Sequence, residues 1–349
     1  MKTGDTTYEP FVTEEAKETD KGLEVSWCQR TFRALTQGSM RASIFILAST
    51  AMGAGFLAIP TTLQNTGVFI GLFLIIFSGY VMYLSHSVIA RAALKYDNYH
   101  YSTVTTLMLG KPLGVLLELA VILNGLGILV AYQICSNCHL VGTFMHDVFN
   151  SIGISFKDDT KAIIVVIMAC IVTPLGLFRS LAVLRYKAMF NVTCLTYILV
   201  LVIAQFPYYS SQHGFDGIVY GKMDLKFFNA FALCLFAYLC QQNLAKVEGE
   251  LVNRSERRMK KVILRAVGIQ GSLFVLLALF GYLSFLGNTP GLIIMRHAAK
   301  GIHHDWMMVL ARFMESFTLT FAMPLNLSPA RASIEKLFFR VEGQSSLAM

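Results

Sequence analysis

Apolar residues in this chain gather into long, nearly unbroken runs rather than the one-sided stripes of soluble helices. Eight such runs stand out, at about 42–64, 67–90, 113–140, 161–178, 188–206, 225–245, 266–286 and 306–327. Each comes close to the ~20 residues that a helix needs to cross the hydrocarbon core of a bilayer. The pattern predicts an all-α, polytopic membrane protein. Residues 1–40, rich in Glu and Thr, read as a disordered cytosolic tail. Residues 41–340 read as the transmembrane domain, and 341–349 as a short C-terminal tail.

Composition agrees with the pattern. The chain is 55% hydrophobic and 14% charged, with a mean hydropathy of +0.58, where a soluble domain carries about a quarter charged residues. The net charge of +8 is therefore a matter of topology and implies no nucleic-acid partner. With the N-terminus inside, 22 of the 29 lysines and arginines fall on the inner side, 6 fall outside and Arg312 lies within a span. Positive charge collects on the cytosolic side, so eight spans with both termini cytosolic are expected. The sequons at Asn191 and Asn326 fall in spans and that at Asn253 on the inner side, out of reach of glycosylation. Six of the seven cysteines lie in apolar runs, which is no disulfide framework. Cys135-Ser-Asn-Cys138-His139 has the spacing of a haem attachment, but it ends an apolar span with no soluble haem domain around it.

Two runs are interrupted in ways that bear on function. The first contains Ser49-Thr-Ala-Met-Gly-Ala-Gly-Phe-Leu-Ala-Ile-Pro60. Gly53, Gly55 and Pro60 weaken a helix, and broken backbone at membrane depth survives only where it lines a cavity or is buried in protein. The alternative is that the small residues only let a neighbouring helix pack closely. The sixth run loses its apolar character at Gln241-Gln-Asn243. Those amides either serve a broken helix and a ligand or mark the end of the span. Breaks in the first and sixth spans, five apart, suggest a 5+5 inverted repeat. Glu118, His86, Arg312 and Glu315 are the ionisable groups in or near spans and are candidates for function on that ground. Arg312 and Glu315, three residues apart, have the spacing to neutralise each other.

With these motifs in view, the chain resembles the amino acid/auxin permease family, which includes sodium-coupled neutral and vacuolar amino acid transporters. Gly53-Ala-Gly-Phe-Leu-Ala-Ile-Pro60 resembles that family's first-helix signature, and Gly125-Leu-Gly-Ile-Leu-Val-Ala-Tyr132 its third-helix pattern. Cys240-Gln-Gln-Asn243 with Glu250-Leu-Val-Asn-Arg-Ser255 and Arg258-Met259 is similar to its sixth-helix segment. Phe280-Gly-Tyr-Leu-Ser-Phe-Leu-Gly287 matches the end of the seventh helix, and Pro324 with Ser328-Pro-Ala-Arg331 resembles the eighth. The five motifs occur in family order over residues 40–340. Ser49 stands where many members carry Asn, and Gln241 where many carry His; both keep hydrogen-bonding capacity.

The resemblance implies a LeuT-type inverted-repeat fold, here truncated after about eight transmembrane helices, and secondary transport of amino acids, neutral ones foremost, with no enzymatic chemistry. It places the substrate at Ser49, Thr50, Met52, Gly53, Ala54, Gly55, Tyr238, Gln241 and Gln242. It places a coupling cation, Na+ or H+, at Ser316 and Thr320. The shortened repeat raises assembly with a second copy, and two alternatives to transport: an amino-acid sensor or regulatory membrane protein, and an inactive truncated transporter. The implied location is the plasma membrane or the vacuolar or lysosomal membrane.

Topology is the part of this reading that labelling can test. In a variant cleared of native thiols, a cysteine at Asp158 should react with an impermeant reagent in sealed cells and one at Arg257 should not. Reaction at position 257 would reverse the orientation.

Overall fold

The computed structural model describes residues 38–136, 184–215, 217–296 and 305–339. The N-terminal tail, the fourth apolar run at 161–178, most of the haem-like motif and the C-terminal tail lie outside the described residues. Within them the chain is helical throughout: α1 (Met40–Ala51), α2 (Ala54–Ala58), α3 (Pro60–Thr66), α4 (Val68–Tyr96), α5 (Tyr101–Leu109), α6 (Lys111–Ser136), α7 (Leu184–His213), α8 (Lys226–Ala237), α9 (Gln241–Glu250), α10 (Glu256–Phe285) and α11 (Trp306–Phe339), with short 3-10 turns at Leu286–Asn288 and Ile293–Met295. By length and hydropathy α4, α6, α7 and α10 can each cross a membrane. The pair made of α1 and the α2–α3 segment passes the same test of length and hydropathy together, bent by 55° at its break.

The surface of these helices identifies their solvent. On α4, Phe69, Phe73, Ile76, Tyr80, Leu84 and Val88 are all exposed, and they recur every three or four residues along one face. Gly71, Leu74, Ile75, Ser78, Gly79, Met82 and His86 occupy the opposite, buried face. A second exposed apolar stripe runs along α6 through Leu113, Leu116, Leu119, Leu123, Leu126 and Val130. Apolar faces of this length in water would drive association; in hydrocarbon they are the face that needs no partner.

Local signals account for the boundaries. Ser39 caps α1 by accepting from the Ala42 N–H at 3.3 Å, and Ser255 caps α10 by accepting from Arg258 N–H at 3.3 Å. Gly67 turns the chain between α3 and α4 at φ +80°, and a Cβ there would lie 2.6 Å from the Gly221 nitrogen. The 217–224 connector is laid across that corner. Val68 N–H donates to Val219 O, Phe69 N–H to Tyr220 O, and Lys222 N–H to Thr66 O at 2.8–3.0 Å. Only glycine satisfies both the positive φ and the close approach.

The bent pair α1 and α2–α3 lies beside the interrupted pair α8–α9, in opposed halves. The first half of one, α1, packs on the second half of the other, α9; α2 and α3 pack on α8. The tightest point is Gly55, where a Cβ would come within 3.0 Å of the Ala237 Cα and 3.3 Å of its Cβ. Around this pair, α10 packs on α1, α3, α4 and α7, and α11 closes on α6 and α7. The last turns of α11 are tied back by Lys336, whose ammonium meets buried Glu118 at 2.6 Å and donates to the Ser102 and Thr103 hydroxyls.

Glu118 therefore has a structural partner. Removing the cation leaves a buried carboxylate uncompensated; because the Lys336 side chain is 35% exposed, the cost falls below the ~3–5 kcal/mol of a fully buried pair. Lys336→Met should lower the melting temperature, and Lys336→Met with Glu118→Gln should recover most of the loss. A double variant no more stable than the single one would show that the pair holds nothing together.

Candidate functional site

A helix interrupted at membrane depth leaves backbone groups without partners, so the first question at each break is what satisfies them. α1 ends at Ala51, and Met52 is extended (φ −78°, ψ 105°) before Gly53 opens the next helical segment. Two amides from other helices reach this end. The Asn191 side chain on α7 donates from Nδ2 to Ser49 O at 3.2 Å, to Met52 O at 3.1 Å and to the Ser49 hydroxyl at 3.0 Å. The Gln270 side chain on α10 donates from Nε2 to Leu47 O at 3.2 Å, with Ala48 O at 3.5 Å. Gln270 is fully buried and Asn191 nearly so. Thr50 turns back on its own helix, donating to Ile46 O at 2.7 Å. Past the break, Phe56 N–H donates to Gly53 O. A Cβ on Gly53 would sit 2.4 Å from the Tyr132 hydroxyl oxygen, so the tip of the Tyr132 side chain on α6 stands against this point.

The second break runs from Tyr238 to Cys240, between α8 and α9. Helix resumes at Gln241, so the three amides open a new helical segment instead of ending the span. The Gln241 side chain folds back, its Oε1 accepting from the Cys240 N–H at 3.1 Å and its Nε2 lying 3.0 Å from the Met82 sulfur of α4. The Cys240 sulfur is 3.3 Å from His86 Nε2. Tyr238 is buried with its ring edge-on to Phe274 at 4.7 Å, and its hydroxyl fits against Gly79 and Gly271. Gln242 is half-buried one residue beyond Gln241.

The structure thus brings Met52, Gly53, Ala54 and Gly55 to the meeting of the two interrupted spans, with Tyr238 and Gln241 at the neighbouring break. Gly55 faces the Ala237 backbone, which makes it a point of close helix contact. Leu319 of α11 joins Ala54 and Tyr132 in one apolar cluster, bringing α11 against the first break. Ser316 is buried on that helix; Thr320 follows one turn on, its side chain outside the described part. Arg312 and Glu315 are not bonded to each other. The arginine donates to Ile294 O and Arg296 O at 3.0 and 2.9 Å, and the glutamate accepts from Thr318 at 3.3 Å.

No sequence motif marks Asn191 or Gln270 as a site residue; the first lies in a sequon inside a span, and the second in an apolar run. Both are lone amides inside apolar runs, where a polar group must find a partner on another helix, and that signal was readable. Which partner each finds was not, because it depends on how α7 and α10 lie against α1.

Comparison with known proteins bears directly on these motifs. Residues 36–347 match the family described as transmembrane amino acid transporter protein. A Toxoplasma gondii protein designated amino acid transporter AAT1 is 27% identical over 318 residues, which is 90% of this chain and 42% of the relative. Vacuolar amino acid transporter 6 of Saccharomyces cerevisiae is 27% identical over 309 residues, covering 86% of this chain and 66% of that protein. Amino acid transporter AVT6B of Arabidopsis thaliana is 24% identical over 323 residues, with 86% and 69% covered. The chain spans about half the length of the Toxoplasma and Plasmodium relatives it matches.

The amide closure of the first break has a measurable consequence. Asn191→Leu leaves the Ser49 and Met52 carbonyls buried without a donor, at a cost of about 1–3 kcal/mol, and should lower the melting temperature of the purified protein. Thr193→Val, at an exposed position of the same helix bonded only to Met189 O, should stay within about 0.5 kcal/mol of wild type. Equal effects from the two would show that Asn191 does not support the break.

Proposed function

This chain belongs to the transmembrane amino acid transporter family, and on that premise we propose that it is a secondary active transporter that moves neutral amino acids through the meeting point of its two interrupted spans, driven by a cation. The observation that carries the reading is the pair of breaks itself. They lie beside each other, each between helical halves, with their backbone ends converging from opposite directions. Converging half-helix ends offer N–H groups to an anion and carbonyls to a cation, which suits a zwitterion.

In this reading the substrate carboxylate meets the N–H groups at Gly53, Ala54 and Gly55, where the segment running to Thr66 begins. These donors stand at the positive end of the helical dipole. The amino group meets the carbonyls and amides around Tyr238, Gln241 and Gln242. Met52, Ser49 and Thr50 frame the site from the α1 side. The coupling cation, sodium or a proton, belongs on α11 near Ser316 and Thr320, whose hydroxyls suit a hard cation's preference for oxygen. The opposed pairing of α1 with α9 and of α2–α3 with α8 supports a LeuT-type inverted repeat. The charge distribution supports cytosolic termini, and the yeast relatives named as vacuolar transporters favour a vacuolar or lysosomal membrane.

Reconstitution into liposomes tests the proposal. The purified chain should take up or exchange a labelled neutral amino acid, and should concentrate it when a sodium or pH gradient is imposed. Absence of both uptake and exchange across the amino acids would overturn it.

Gly55→Ile separates ligand contact from packing on the same preparation. The added side chain meets the Ala237 backbone, so the variant should lose about 1–3 kcal/mol of stability or more, as overpacking does. A variant that melts like wild type but no longer binds would assign Gly55 to the substrate.

A further inference from the structure

Glu315 stands nine residues into the 34-residue helix α11, roughly 14 Å along its axis from the start. It is fully buried. One carboxyl oxygen, Oε2, accepts from the Thr318 hydroxyl at 3.3 Å; the other, Oε1, is buried with no hydrogen-bond partner. Its place on the helix connects it to the first break. Leu319, one turn on and on the same face, packs with Ala54 and Tyr132 beside Gly53.

The described groups presented to this carboxyl supply no cation. On its own helix, Arg312 is hydrogen-bonded to the Ile294 and Arg296 carbonyls. From α7 come Cys194, within electrostatic reach of Glu315, and Tyr197, whose hydroxyl donates to Met307 O. From α6, Tyr132 packs with Leu319 one turn on, and the acidic residue of that helix, Glu118, is paired with Lys336, 21 residues and ~30 Å further along α11. In the connector, Arg296 is bonded to Gln205 and lies over the Tyr209 ring. An ionised carboxylate so placed is strongly disfavoured, whereas the protonated acid is neutral and can be accommodated.

The first break points the same way. The oxygens freed there, Ser49 O and Met52 O, converge with the Ser49 hydroxyl on the Nδ2 of Asn191 at 3.0–3.2 Å. Three oxygens that could face a cation from the α1 side already accept from an uncharged amide that the protein itself supplies.

We propose that the coupling ion is a proton and that the carboxyl group of Glu315 carries it. This rests on the transporter reading above and specifies its cation. The carboxylate takes up one proton to become the acid in the conformation described here. It gives that proton up in a conformation where water reaches Oε1, and no other bond is made or broken. Glu248 is the competing group, since it is also fully buried and neither of its oxygens has a partner. It lies two residues from the end of α9, among Lys246, Glu250 and Arg254, and Leu244 and Leu251 on its face pack with Ala51 at the end of α1, so the experiment has to separate the two.

The experiment uses the full chain in liposomes. Wild type should accumulate amino acid under a pH gradient whether or not sodium is present. Glu315→Gln, which keeps the shape of the protonated acid, should fall to the equilibrium level under the same gradient while still exchanging labelled for unlabelled amino acid. Accumulation retained in Glu315→Gln, its loss in Glu248→Gln instead, or accumulation by wild type under a sodium gradient alone would each overturn the proposal. Infrared difference spectra against pH provide a readout independent of transport. A protonated-carboxyl band present in wild type should vanish in Glu315→Gln, and its persistence overturns the assignment. Should the Gln variant not fold, Glu315→Asp should move the midpoint pH of that band, and an unmoved midpoint overturns the assignment. If wild type neither takes up nor exchanges amino acid, the transporter reading fails, and the band still decides whether Glu315 binds a proton.

Discussion

A backbone carbonyl that leaves its helix inside a membrane has no water to turn to, and the centre of this protein is built around meeting that demand. At the end of α1 the freed oxygens of Ser49 and Met52 are taken by the Asn191 amide from α7, and Gln270 from α10 adds a donor to the last helical carbonyls, Leu47 O and Ala48 O. The requirement fixes more than one local contact. It draws α7 and α10 against α1, and it makes the interrupted helix depend on neighbours far away in sequence. At the second break the demand is met nearer home, by Gln241 turning back onto the Cys240 amide and by tightened turns at Tyr238 and Leu239.

Small residues do the complementary work. Where Asn191 and Gln270 pull helices together through hydrogen bonds, Gly55, Gly79 and Gly271 let them approach by giving up side-chain volume. Gly55 admits the backbone of Ala237, and the other two make room for Tyr238. In hydrocarbon, where apolar burial supplies little drive for one helix to meet another, dispersion contacts and interhelical hydrogen bonds carry the association. The exposed stripes on α4 and α6 contribute nothing to it, which is why they can be almost purely aromatic and aliphatic.

Much of this was legible in the chain itself. The helical class, the membrane environment and the interruptions near Gly53 and Gln241 all follow from short-range signals: run length, glycine and proline placement, a cluster of amides. Family motifs named the family that comparison then showed. What the pattern did not disclose were relations between distant positions. Arg312 and Glu315 have the spacing of a helical ion pair, yet the arginine serves the carbonyls of the 293–296 turn, a demand set by how that connector lies against α11. Glu118 found its counter-ion in Lys336, 218 residues further along the chain. The glycine at 55 admitted two roles from sequence alone, and the position of α8 makes close contact one of them.

The opposed pairing of the two broken spans also has a mechanical meaning. α2 and α3 are braced against α8 at the contact between Gly55 and Ala237, and the 217–224 connector is bonded across the Gly67 corner. α1 and α9 pack on each other on the other side of the breaks. A shift of α1 and α9 against α2, α3 and α8 would strain both breaks at once, because each break joins one member of either pairing.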